Sequence, residues 1–221
     1  MAGPGSITRF EVSPLGLACH SVDGPLAAGA DVQGISATGY LSLLALLLRL
    51  GCLDADGHFR TPASPLARRV APPPQQARTG LRLPLPYGQW LAAADVEELL
   101  KVKAAFSQAL EALLRAAGLA AADVACLALA GALGEHCPPA CLEELGFLPS
   151  GMGRRVRAVG NSSLDGAALL AAEPWRLPAL ARWCAAATLV PVAEDPRLPC
   201  RLPAPYALWS INVRYPTEKI R

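Results

Sequence analysis

The sequence predicts an α/β domain, and three observations carry that expectation. The stretch Leu127-Ala-Leu-Ala-Gly-Ala-Leu-Gly134 and the stretch Val159-Gly-Asn-Ser-Ser-Leu-Asp-Gly-Ala167 share one layout, a short apolar run that ends in small residues and leads into a helix-like segment. Strands and helices alternate in the C-terminal half, as layered α/β domains require. Of the 221 residues, 52% are hydrophobic, enough for one domain with a real core, but only 5% are aromatic, so Leu, Ala and Val must fill it.

The elements follow in order. Ile7 to Val12 and Leu17 to Val22 read as two strands around Pro14-Leu-Gly16, a hairpin. Ser36 or Thr38 caps a helix that begins near Gly39 and runs to Leu50, where Gly51 stops it. Asp54-Ala-Asp-Gly57 is a turn. Residues 60–80, rich in Pro, Ala and Arg, read as an exposed insertion without strand or helix interior, because proline removes a backbone donor. Leu81 to Pro86 reads as an edge strand. Asp95 to Ala117 is the strongest helix, with Val96, Leu99, Leu100, Lys103, Phe106, Leu110, Leu113 and Leu114 at helical spacing and Gly118 as its end.

Val124 to Ala130 is a continuous apolar run, predicting a strand covered on both faces. Pro138 to Leu145 reads as a short helix closed by Gly146 and Pro149, and Arg155 to Val159 as the next strand. Ser162 or Ser163 caps a helix through Leu170, and Pro174 to Ala187 forms another. Thr188 to Val192 is expected as a last strand, and residues 195–221 as a Pro-rich surface tail.

Charge and composition narrow the function classes. A net charge of +2 makes no case for nucleic acid, and Arg154, Arg155 and Arg157 read as a solvated loop. The longest apolar run, Tyr40 to Leu50, contains Arg49 and is shorter than the about 20 residues that a bilayer requires, so no membrane role is expected. Seven irregularly spaced cysteines read as reduced thiols in a cytoplasmic protein. His136, Cys137 and Cys141 lack the second close pair that a tetrahedral metal site requires, so no metal ligands are assigned. No Gly-x-Ser-x-Gly, Walker A or Gly-x-Gly-x-x-Gly motif occurs, and no catalytic residue is assigned.

The glycines remain. Where a buried strand ends in glycine before a helix, backbone amides sit beside a bound nucleotide in many α/β proteins. Gly131, Gly134, Gly160 and Gly166 fit that arrangement, and taken by themselves they fit structural turns equally well. Lys103, on or beside the apolar helix face, reads as a snorkelling side chain or as a lysine aimed at a ligand.

Five blocks in order, Gly34-Ile-Ser-Ala-Thr-Gly-Tyr-Leu41, Lys101-Val-Lys-Ala-Ala105, Leu129-Ala-Gly-Ala-Leu-Gly134, Gly146-Phe-Leu-Pro149 and Val159-Gly-Asn-Ser-Ser-Leu-Asp-Gly-Ala167, resemble the C-terminal ATPase region of the reductive activators of corrinoid-dependent proteins. That family belongs to the acetate/sugar kinase, heat-shock chaperone and actin superfamily, and the likeness runs from about Gly5 to about Pro205. The resemblance implies an actin-like, ribonuclease-H-type α/β fold, with residues 1–221 forming one C-terminal lobe that carries a β-hairpin/helix subdomain. It implies ATP as the cofactor, with Ala130, Gly131 and Gly134 in the adenosine-contacting loop. Gly160, Asn161 and Gly166 would form the turn and helix beside that loop, and Lys103 would lie on the helix flanking the adenine. It implies ATP-driven return of a Co(II) corrinoid to Co(I), with the corrinoid protein of a methyltransferase system as partner.

Ala37, Leu133, Ser162 and Ser163 depart from the residues that the resemblance leads one to expect. The phosphate- and Mg²⁺-holding loops of that family lie upstream of the matched blocks, and no iron–sulfur cysteine cluster occurs in this sequence, so an iron–sulfur cluster is expected only in a longer parent. The expectation is therefore a nucleotide-side lobe, a fragment or degenerate form that is inactive alone. The alternative from another class is a non-catalytic scaffold that docks a corrinoid protein or self-associates as a homodimer.

Overall fold

A computed structural model of the chain describes residues 5–62, 64–78 and 80–191. The N-terminal part is built on short strands. β1 (Ser6–Ile7) pairs in parallel with β5 (Gly34–Ile35). β2 (Arg9–Ser13) and β3 (Gly16–Ser21) form the expected hairpin, in register from Arg9↔His20 to Ser13↔Gly16, and β4 (Gly24–Pro25) adds a third strand.

Helix α1 (Ala37–Arg49) runs through the middle of the core. Ser36 caps it, its hydroxyl accepting from the Gly39 amide at 3.2 Å, which satisfies one of the free donors of the first turn. Leu41 through Leu47 are buried without interruption, so the helix is covered on all sides. The one hydroxyl in that run, Ser42, accepts from the Phe10 amide at 3.0 Å and donates to the Phe10 carbonyl at 3.2 Å. A buried polar side chain thereby satisfies the open side of β2.

Residues 60–80 depart from the expected exposed loop. α2 (Pro65–Val70) folds there, capped by Ser64, whose hydroxyl accepts from the Ala67 amide at 3.0 Å. Ala67, Val70 and Ala71 enter the core. The prolines mislead because Pro65 sits in the first turn, where a missing donor costs nothing, and Pro72, Pro73 and Pro74 fall between α2 and β6 (Gln75–Ala77). β7 (Gly80–Pro84) is likewise not an edge strand. It is central in a sheet ordered β6-β7-β8, with β8 at Trp90–Ala92. Pro84 is tolerated because β6 pairs with β7 only as far as Arg82, so at Pro84 the strand has a neighbour on one side alone.

Helix α3 (Ala93–Ala116) matches its expected span. Asp95 accepts from the Ala92 amide at 2.9 Å, closing the first turn. Val96, Leu100 and Leu114 are buried, whereas Leu113, placed on the same face by spacing, is 55% exposed.

The C-terminal part holds β9 (Leu127–Leu129), α4 (Gly131–His136), α5 (Pro139–Glu144), β10 (Val156–Ala158), α6 (Ser162–Ala172) and α7 (Leu177–Ala186). β9 is shorter than the expected Val124–Ala130 strand, and Ala125, Cys126, Ala128 and Ala130 are exposed. Its only strand neighbour among the described residues is β10, and none of its three residues is buried, in contrast to the cover on both faces that its apolar sequence suggested. No strand forms over residues 188–191, and the surface tail expected at 195–221 lies outside the described residues.

Cys137 and Cys141 pack in the core. Burial, aided by the neighbouring Cys141, raises the Cys137 thiol from the ordinary 9.0 to about 12, and burial alone raises Cys19 to about 11. The folded state therefore holds these protons more tightly than the unfolded chain. The stability this contributes is complete below about pH 9 and is lost as the pH climbs through about 12. Thermal melts in this window should show a midpoint that falls with pH, and Cys137→Ala should flatten the slope by up to about 1.4 kcal/mol per pH unit.

Candidate functional site at the β9–β10 edge

β9 and β10 run parallel in the register Leu127↔Val156 and Leu129↔Ala158, so both strands end at the same edge. The pairing continues past the strands. The Val159 amide donates to the Leu129 carbonyl at 3.0 Å, and the Gly131 amide donates to the Gly160 carbonyl at 2.7 Å. Two of the four glycines that the sequence singled out are thus hydrogen-bonded to one another.

Both adopt left-handed backbone, with φ of +80° at Gly131 and +64° at Gly160, which other residues reach only at a cost of about 1 kcal/mol or more. This geometry lets each chain turn from its strand directly into a helix, α4 after β9 and α6 after β10. A Cβ added at Gly131, Gly160 or Gly166 would meet no atom within 4 Å. Gly134 is the opposite case. A Cβ there would lie 2.5 Å from the Leu129 carbonyl oxygen and 2.7 Å from the Leu129 Cβ, so its lack of a side chain lets α4 fold back against its own strand. The edge therefore combines one glycine required for internal packing with three that face open space.

Ala130 is exposed at the junction between β9 and α4. Asn161, not Ser162 or Ser163, caps α6. Its side-chain oxygen accepts from the Leu164 amide at 3.2 Å, because the turn at Gly160 brings Asn161 one residue ahead of the first helical turn. Asp165 lies in that first turn, where a carboxylate complements the helix dipole.

Lys103 is set apart from the glycine pair in its packing. It lies on α3, which makes its main contacts with β7 and β8, and it is only 7% exposed. Desolvation by its surroundings holds its ammonium pKa below the usual lysine value.

Arg155 is the residue that sequence reasoning missed. Expected in a solvated basic loop, it instead donates from Nη1 to the carbonyls of Ala121, Ala122 and Val124 at 3.1, 2.9 and 3.0 Å. It ties the approach to β9 to the start of β10 and so fixes the relative height of the two glycine turns. Nothing in a linear reading marks it, since its acceptors are backbone oxygens more than thirty residues away. Arg155→Gln should lower stability by about 1–3 kcal/mol, by leaving these carbonyls without a charged donor. Urea unfolding checks this, and an unchanged midpoint would remove Arg155 from the account.

Two other features are structural. Asp54, Asp56 and His58 bring their ligating atoms within 4.8 Å of one another. However, the Asp54 carboxylate already accepts from the Asp56 and His58 amides and from Arg60, at 3.0, 2.9 and 2.8 Å, which is how the turn is held. A cavity of about 650 Å³ lies between α5 and the Ser150–Arg154 turn and includes none of the residues predicted for the site. Glu143, on its wall, accepts from the Gly151 and Gly153 amides at 2.6 and 2.9 Å and closes that turn.

Comparison with known proteins bears on this geometry. A family described as the C-terminal domain of RACo, the ASKHA domain, matches residues 1–219. A solved structure titled "Reductive activator for corrinoid,iron-sulfur protein" is similar with a TM-score of 0.62 and 26% sequence identity, over 75% of this chain and 26% of that chain. The chain thus spans about a quarter of that protein's length. No curated protein matches. Among the described residues, no helix is long and apolar enough to cross a membrane.

Proposed function

The chain belongs to the family of ASKHA domains described as the C-terminal domain of RACo, with the α/β, actin-like architecture that its sequence led one to expect, and on that premise we propose that its β9–β10 edge is the nucleoside side of an ATP site. The observation that carries the proposal is the Gly131–Gly160 hydrogen bond at 2.7 Å, which joins two left-handed turns at one sheet edge. The open space at Gly131, Gly160 and Gly166 fits a ligand that approaches the backbone closely, a cradle that any side chain would fill.

In this reading Gly131 and Gly160 set the floor of the pocket, and Ala130 leaves its wall small. Gly134 holds α4 down on β9. Asn161 fixes the N-terminus of α6, and Gly166 keeps that helix slim where it faces the ligand. Lys103 supports the lobe from within the core. Bound ATP supplies a phosphoryl group whose hydrolysis requires metal and phosphate-facing donors. Those, with Mg²⁺ and any iron–sulfur cluster, are assigned to the remainder of a longer protein. The lobe then serves an activator that returns a corrinoid protein of a methyltransferase system to its reduced state in the cytoplasm.

Photolabelling with 8-azido-ATP followed by peptide mapping tests the proposal. Label is expected on peptides covering residues 127–136 and 156–166. Label confined to the Glu143 cavity would overturn it. Capture of a corrinoid protein without any labelling would favour the scaffold reading instead.

A further inference from the structure

The turn between β7 and β8 breaks a local rule. The Gln89 amide donates to the Pro86 carbonyl at 3.3 Å, and the two residues between them, Tyr87 and Gly88, both have left-handed backbone, with φ of +60° and +70°. This hairpin turn matches the twist of the flanking strands, and its usual sequence is Asn-Gly. Among the described residues Tyr87 is the one non-glycine with a positive φ, and a bulky side chain is strained there.

What the tyrosine adds is reach. Its ring packs against the core, and its hydroxyl lies 3.1 Å from the Leu26 carbonyl oxygen and 3.2 Å from that of Ala27, close enough to donate to either. Two residues on, Gln89 Nε2 donates to the Val32 carbonyl at 3.3 Å. One turn thus grips both ends of the connection between β4 and β5, residues 26–33. Ala27, Ala28, Gly29, Asp31 and Gln33 of that connection are exposed. Its own amides are held at Leu26, Ala30 and Gln33, which donate to the carbonyls of Cys19, Ala27 and Gly5 at 2.9, 3.1 and 3.0 Å. The cost of a left-handed tyrosine is comparable with the net worth of the hydrogen bond it makes, so the grip is closely balanced.

We propose that residues 26–33 form a strap that opens and closes on the folded core, with Tyr87 and Gln89 as its two clasps. The strap leads into β5 and the Ser36 cap of α1, so its release loosens the approach to that helix while the helix stays buried. It uses no residue of the β9–β10 edge and stands independently of the nucleotide proposal.

Hydrogen exchange of the Leu26, Ala30 and Gln33 amides, followed by NMR at rising urea below the unfolding transition, tests it. In the wild type these amides should exchange through a local opening that low urea does not accelerate, whereas the α1 amides track global unfolding. Tyr87→Phe keeps the ring and removes the donor, and should speed exchange at Leu26 and Ala30 about fivefold. Gln89→Leu should act chiefly on Gln33. Strap amides that share the urea dependence of α1 would overturn the proposal, because the strap would then open only with the whole fold. So would wild-type exchange rates at Leu26 and Ala30 in Tyr87→Phe.

Discussion

Gly134→Ala is expected to destabilise the domain by about 3 kcal/mol, more than any other single-methyl change at the candidate site. The added Cβ would press on the Leu129 carbonyl oxygen at 2.5 Å, with the Leu129 carbonyl carbon at 2.8 Å. These are atoms of β9 itself and cannot rotate away as a flexible side chain does. Relief requires α4 to lift from the strand, which moves the Gly131 turn with it. Urea unfolding should show a lower midpoint at unchanged slope. Gly166→Ala is the contrast. It adds the same methyl inside α6, where nothing lies within 4 Å, and should leave stability unchanged or raise it by about 0.5–1 kcal/mol through its better helix propensity. If both substitutions act alike, close approach is not the reason for glycine at 134.

Gly131→Val should reduce nucleoside binding at least tenfold at a smaller cost in stability. The backbone at 131 is left-handed, so a branched residue there costs about 1–2 kcal/mol. A Cβ at 131 meets no atom within 4 Å and points into open space. Under the proposed function that space is where the ligand approaches the backbone, and the valine methyls occupy it. Photolabelling yield measured against a melting curve separates the two effects. A large loss of labelling in a protein that still melts cooperatively supports a ligand-facing role, whereas unchanged labelling would make Gly131 a turn residue and nothing more.

Much of this edge was legible in the sequence because its physics is local. An apolar run ending at Gly131 or Gly160 and followed by a helix pattern specifies a strand, a left-handed turn and a helix without knowledge of the rest of the fold. Helices α1 and α3 were legible for the same reason, with the Ser36 cap of α1 and the first-turn Asp95 of α3 close to the expected starts. What escaped was non-local or masked by composition. The triple grip of Arg155 depends on backbone oxygens brought in by the fold. The burial of Ala67 and Val70 was hidden by a density of prolines that happen to occupy tolerated positions. The one-sided exposure of β9 could not be read from its apolar run, since burial depends on which elements cover the sheet. Asn161 won the cap of α6 over two adjacent serines because the Gly160 turn, not side-chain preference, sets where the helix begins.

Amide chemical shifts of the isotopically labelled chain, titrated with adenosine, decide whether the β9–β10 edge takes a nucleoside. Adenosine carries no phosphate, so the measurement reads the proposed half-site without the phosphate loops assigned elsewhere. Saturable shifts are expected at Gly131, Gly160 and their immediate neighbours, with a Kd on the order of 1 mM, equivalent to about −4 kcal/mol. Shifts gathered instead around Glu143 and Arg154, or none at these glycines well above that concentration, would contradict it.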